Sequence, residues 1–237
     1  MNARVATSLL AIGLLSAPST ASALPGVDIG VGAVGLAGLS VIDKAGSGTG
    51  SDVYPGFAGT RTGFGAVGEV RFLGFLGLEA GFVRSSDKGE GDIAFGGKSI
   101  SASLGQTATH IPVMAKLVLP VPVFSPFVGL GIDFVKPGSC SSSLALEGTT
   151  IPTTCFNDSY TMWTGALGAE LSLPFLDFIR FPISVRASKH RDFGDDMAAR
   201  GSVTLPSTSN PTAVPSAALR SEWRYDVYGT VGASFFF

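Results

Sequence analysis

The last sixteen residues, 222–237, read EWRYDVYGTVGASFFF. Counting by twos puts Trp223, Tyr225, Val227, Gly229, Val231, Ala233, Phe235 and Phe237 on one face. The other face carries Arg224, Asp226, Tyr228, Thr230, Gly232, Ser234 and Phe236. A period of two held over this length is a strand and not a helix, and it outruns the usual soluble strand. Aromatics stand at both ends of the apolar face. An exposed sheet edge ending in three phenylalanines would invite aggregation. The stretch therefore predicts a strand whose apolar face meets lipid, the closing strand of a transmembrane β-barrel. A soluble sandwich with a greasy last strand is the competing reading, and the rest of the chain decides between them.

Composition leans the same way. Of 237 residues, 45% are hydrophobic and only 14% charged, and 32 are glycine; soluble domains carry about 25% charge and about 7% glycine. Mean hydropathy is +0.39. Beyond the N-terminal segment no apolar run reaches the roughly 20 residues of a membrane helix. A closed barrel is the other structure that satisfies its backbone in lipid. The net charge of −2 and the lack of a basic patch exclude a nucleic-acid footprint. Residues 1–23 read as a cleaved secretory signal: Arg4, an apolar core over 9–15, and Ala21-Ser22-Ala23 at the cleavage site. Residues 24–237 are then expected to be the barrel domain, with no periplasmic domain ahead of it.

Seven further segments alternate in the same way, over 27–41, 60–72, 76–84, 109–119, 124–136, 160–173 and 179–190. Short turns near 73–75, 120–123 and 174–178 alternate with polar loops over 42–58, 85–99, 137–158 and 191–221. The predicted fold is an all-β, eight-stranded antiparallel transmembrane β-barrel with short periplasmic turns and four longer extracellular loops. A soluble lipocalin-type barrel would put its charges outside and its apolar side chains inside. Here most charges lie on the face opposite the apolar row, so the lumen is the polar side.

On these residues the chain resembles the small outer-membrane barrels of the OmpA-, OmpX- and OmpW-like family, over 24–237. The match is most specific at Thr230-Val231-Gly232-Ala233-Ser234-Phe235-Phe236-Phe237, which is similar to that family's C-terminal assembly signal, with Thr230, Gly232, Phe235 and Phe237 as its marks. Ile111-Pro112-Val113 and Pro126-Phe127-Val128-Gly129-Leu130-Gly131 look like the middle hairpin of such barrels. The resemblance implies a bacterial outer-membrane location and recognition by the barrel-assembly machinery. Its OmpW side implies a narrow channel for small or hydrophobic solutes. No peptidoglycan-binding domain of the OmpA kind is expected after the barrel.

The inward charges Glu69, Arg71, Glu79, Lys116, Glu170, Arg180 and Arg186 are the leading constellation. In a narrow lumen opposite charges should pair, because an unpaired one costs several kcal/mol. They form either a structural plug or a gate whose pairs exchange. The two histidines promise little catalysis: His110 has no acidic neighbour in sequence, and His190 precedes Asp192, Asp195 and Asp196 without the local pattern of omptin-like proteases or lipid A deacylases. No enzyme activity, cofactor or metal site is expected. Cys140 and Cys155, about 15 residues apart, are expected to form a disulfide across the third loop, contributing roughly 3 kcal/mol. Trp163, Trp223, Tyr160 and Tyr225 should form an outer aromatic girdle, and Phe72, Phe75, Phe124, Phe235 and Phe237 an inner one. Arg84, Arg191 and Arg224 stand near the outer rim, where lipopolysaccharide phosphates would lie. The function expected is a structural or surface-interaction barrel, monomeric, in contact with outer-membrane lipid and lipopolysaccharide; the alternative is the narrow channel.

Overall fold

The computed structural model describes residues 26–42, 45–47, 51–54, 57–95, 98–146, 149–152, 158–190, 202–205, 212–215 and 224–237. Thirteen strands run through them: β1 (Val27–Ile42), β2 (Ala45–Ser47), β3 (Ser51–Tyr54), β4 (Phe57–Phe72), β5 (Leu76–Phe95), β6 (Lys98–Val118), β7 (Phe124–Leu146), β8 (Thr149–Pro152), β9 (Tyr160–Leu173), β10 (Leu176–His190), β11 (Ser202–Leu205), β12 (Thr212–Pro215) and β13 (Arg224–Phe236). Eight of them, β1, β4, β5, β6, β7, β9, β10 and β13, pair antiparallel in a ring closed by β1 with β13 and by β6 with β7. At the seam Phe237 exchanges both backbone hydrogen bonds with Ile29.

The register fixes the barrel's dimensions. From Lys136 on β7 the aligned residues are Thr109, Arg84, Phe64, Gly35, Val231, Ile183, Ala169 and then Pro126, back on β7. The circuit closes about ten residues lower, giving a strand tilt of about 40° and a backbone radius of about 8 Å. Such a barrel has room for side chains and little else.

Every barrel strand obeys one parity. Outward positions carry exposed apolar residues such as Phe64, Phe82, Leu130, Leu167, Val185 and Val231. Inward positions carry the buried charges and hydroxyls. The apolar band is on the outside, as in a barrel that faces lipid. At one end the strands are joined tightly. Leu73 (φ 52) and Gly74 (φ 73) are the central residues of a tight turn closed by the Phe75 amide on the Phe72 carbonyl at 3.2 Å. Val123 (φ 70) sits in a γ-turn closed by the Phe124 amide on the Pro122 carbonyl at 2.8 Å. We call this the turn end and the opposite one the loop end.

At the loop end the strands outrun the expected bounds. β5, β6 and β7 continue as paired strands through much of what reads as polar loop, and β8 adds a fourth strand to this wall. The reason is physical. Beyond the lipid no apolar face is required, so Ser, Thr and Gly can hold the ladder without the alternation that reveals a strand in sequence. A one-residue bulge between Gln106 and Ala108 brings Cys140 opposite Gln106. Small hairpins, β2–β3 and β11–β12, lie within the first and fourth of the loop-end connections.

Candidate functional site

The lumen contains two storeys of charge. The storey nearer the turn end grows from one register clash: Glu69 on β4 lies directly opposite Glu79 on β5. Two carboxylates so placed repel. Lys116, opposite Gly77 on the next strand, reaches between them. Its Nζ lies 2.7 Å from Glu69 Oε2, 3.3 Å from Glu79 Oε2 and 3.2 Å from Glu170 Oε1. Arg71 pairs with Glu69 and forks onto Glu170, with Nη1 at 2.9 Å from Oε2 and Nη2 at 2.6 Å from Oε1. Arg186 donates to Glu79 Oε1 at 2.8 Å. Arg180, 21% exposed at the rim, stands 3.5 Å from Glu170 and 3.9 Å from Asp28.

All seven predicted lumen charges thus lie in one network, with Asp28 as an eighth member. Four cations face four carboxylates. Aromatic rings complete the packing. Lys116 sits 4.4 Å from the Phe127 ring centroid, and Phe236 lies between Arg71 at 5.0 Å and Arg180 at 4.1 Å. Gly30 makes room for that ring, since a Cβ there would meet it at 2.7 Å.

The second storey, nearer the loop end, is absent from the expected set. Arg61 forks onto Asp87, with Nε to Oδ1 at 2.8 Å and Nη2 to Oδ2 at 2.7 Å. Its Nη1 lies 2.7 Å from Asp226 Oδ2. Ser40 donates to Asp226 Oδ1 at 2.6 Å. Arg61, Asp87 and Asp226 are all buried. Arg61 and Asp226 sit on the polar faces of their strands in the sequence, but Asp87 falls in a segment that reads as loop. The extension of β5 is what turns it inward.

Beside this storey runs a hydrogen-bonded chain across three adjacent strands. Ser85 Oγ lies 3.0 Å from His110 Nε2, and His110 Nδ1 lies 2.6 Å from Asp133 Oδ2. The acidic neighbour that His110 lacks in sequence is supplied by pairing, which sets Asp133 opposite Pro112. The order of atoms is that of a serine nucleophile, base and orienting acid. Its surroundings are those of a packed core. All three side chains are buried, and the adjoining cavity, lined by Arg61, His110, Asp133, Arg186 and Tyr228, holds about 20 Å³. That is the space of one water, not of an acyl substrate. Asp133 Oδ1, which has no hydrogen-bond partner among the described residues, lines this cavity.

A second cavity, within the charge network of the first storey, holds about 10 Å³. A larger concavity of about 860 Å³ lies on the outer wall among Leu167, Ile183, Val185 and Val231, away from these charges.

Other expected residues are placed as follows. His190 stacks on Tyr160 inside the barrel, centroids 4.3 Å apart. Tyr160 is therefore a lumen residue and not part of the outer girdle; its position in the strand alternation, even with Met162 and Thr164, already turns it inward. Trp163 and Tyr225 face outward near the loop end, while Phe72, Phe75, Phe124, Phe235 and Phe237 face outward near the turn end. Trp223, Arg191, Cys155 and the acidic run 192–196 lie outside the described residues, as does the signal segment. The Cys140–Cys155 pairing rests on one of them. Thr230 hydrogen-bonds Ser184 at 2.7 Å within the lumen, and Gly232 faces inward opposite Val34.

A closed eight-strand ring with lipid-type outer faces and a charged interior is matched by a family model described as "Outer membrane protein beta-barrel domain", over residues 7–205. The chain belongs to this family. No curated protein matches it significantly in sequence. Among solved structures, the chain is similar in fold to the outer membrane protein OprG from Pseudomonas aeruginosa, with 16% identity and a TM-score of 0.45, covering 90% of this chain and 96% of that one. It is similar to Neisserial surface protein A at 10% identity and a TM-score of 0.39, covering 89% and 96%. It is also similar to the outer membrane protease OmpT from Escherichia coli at 9% identity and a TM-score of 0.39, covering 90% and 97%.

Proposed function

We propose that this outer-membrane barrel is a closed structural or surface-interaction protein, with no chemistry and no solute path of its own. The observation that carries the reading is the eight-charge network around Lys116, which fills the lumen with paired side chains and leaves about 10 Å³ of space within it. A second seal, Arg61 between Asp87 and Asp226, stands above it. A solute crossing the barrel would have to break both sets of pairs, at several kcal/mol for each charge left alone. What the molecule offers its surroundings is the wall of β5, β6, β7 and β8 that rises beyond the lipid-facing belt.

The competing reading is the narrow channel, and planar-bilayer recording of refolded protein decides between them. We expect no discrete conductance steps from the native chain or from either single variant, Arg61→Ala or Lys116→Ala, because the remaining storey still seals the lumen. Steps from the native chain would overturn the closed reading.

Three further features belong to the same proposal. Residues 1–23 direct export and are removed. Cys140 pairs with Cys155 and stiffens the third external loop, which non-reducing peptide mapping would test. The C-terminal strand, with Thr230 and Gly232 turned in and Phe235 and Phe237 turned out, presents the signal that the assembly machinery reads.

A further inference from the structure

We propose that Arg84 and Lys136 form a docking site on the barrel's outer wall for the phosphate of an outer-leaflet lipopolysaccharide. The site follows from the register. Arg84 on β5, Thr109 on β6 and Lys136 on β7 are cross-strand neighbours on the lipid-facing side. Both cations are exposed. Neither forms an ion pair with a described residue. Two strand spacings, roughly 10 Å, separate their Cα atoms, a span that two long side chains close onto one anion. The Thr109 hydroxyl lies on the strand between them. Lys88, one outward turn of the pleat beyond Ser86 on β5, extends the positive field toward the loop end.

Two features identify the occupant as a lipid. On the same three strands, two residues nearer the turn end, Phe82, Ile111 and Phe134 are exposed on the wall. A ligand that uses the site therefore places its anion above hydrocarbon. The second feature is the sign of the charge. β6 and β7 carry no outward-facing acid among the described residues, and the nearest on β5 is Glu90, six residues beyond Arg84 and two beyond Lys88. A pair of cations with no acid between them at the top of an apolar wall is complementary to an anionic headgroup. On the far side of the barrel the corresponding edge presents Tyr225 and Val227 on β13 and a single cation, Lys189, on β10. The inference rests on the outer-membrane location of the family and is independent of whether the lumen is closed.

The test is titration of detergent-solubilised, folded protein with purified lipid A, in its phosphorylated form and after phosphatase treatment, read by native mass spectrometry. The comparison is with the double variant Arg84→Ala/Lys136→Ala. Because both residues face away from the core, the variant should keep its heat-modifiable gel mobility. We expect phosphorylated lipid to bind the native chain about thirtyfold more tightly than the double variant, and the phosphatase-treated lipid to bind both equally weakly. Equal binding of the two lipid forms to the native chain would overturn the proposal, as would an unchanged affinity in the double variant. Inorganic pyrophosphate binding as tightly as the lipid would overturn the lipid source.

Discussion

The two charged storeys of the lumen use the same chemistry with opposite redundancy. Near the turn end, each of Glu69, Glu79 and Glu170 touches at least two cations, and Lys116 touches all three carboxylates. Near the loop end, one guanidinium, that of Arg61, holds two carboxylates, Asp87 and Asp226. Beside it Asp133 has His110 alone among the described residues. The difference shows where the interior is buffered against loss of a partner. A shared network redistributes its pairs, whereas a pair with a single donor leaves a buried charge uncompensated, and that is the expensive outcome.

The largest effect should therefore come from the less populated storey. Arg61→Met removes the buried guanidinium that bridges Asp87 and Asp226, and we expect a loss of about 3–5 kcal/mol. Urea unfolding of protein folded into lipid vesicles, followed by gel mobility, measures it. A loss no greater than that from Lys116→Met would break the comparison. The chain from Ser85 to Asp133 should rank next. His110→Leu leaves the Asp133 carboxylate with neither oxygen partnered, at about 3 kcal/mol, and adding Asp133→Asn should recover part of that loss.

How much of this was legible in the sequence follows the same division. Glu69, Arg71, Glu79, Lys116, Glu170, Arg180 and Arg186 all lie in stretches where lipid enforces alternation, so parity alone turns them inward. Their grouping needs only the knowledge that inward faces of one barrel share a lumen. Asp87 and the upper part of β5 lie where that constraint ends, and a ladder of Ser, Gly and charged residues reads as loop. His110 and Asp133 are 23 residues apart, and only the β6–β7 register brings them together. Tyr160 shows the converse error: its aromatic character suggested a girdle, while its parity places it against His190. Alternation decided the fold and half of the interior; pairing decided the other half.

Within the network, Lys116→Met is expected to cost about 1.5–3 kcal/mol, despite three contacts and near-complete burial. Glu69 retains Arg71, Glu79 retains Arg186, and Glu170 retains Arg71 and Arg180. The methionine can still lie against Phe127, where the lysine now sits. Combining Lys116→Met with Arg71→Met should be much worse than the sum of the two, because Glu69 then loses every cation. Simple additivity in that double variant would contradict the redundancy assigned to this storey.

Arg180→Ala should be the mildest change. Its guanidinium is 21% exposed at the mouth and stands at 3.5 and 3.9 Å from its carboxylate partners, longer than the contacts deeper inside. Both partners survive its loss: Glu170 keeps Arg71 and Lys116, and Asp28 is 43% exposed and can turn to water. Pairs of this kind contribute about 0–1 kcal/mol and fade with salt. What remains is the lost packing of Arg180 over Phe236, which salt does not screen. The variant's deficit should therefore stay near 1 kcal/mol or below and change little between low and high ionic strength. A loss approaching that of Arg61→Met would mean that the mouth is as dry as the interior, and the contrast between a buffered storey and a singly held one would have to be redrawn.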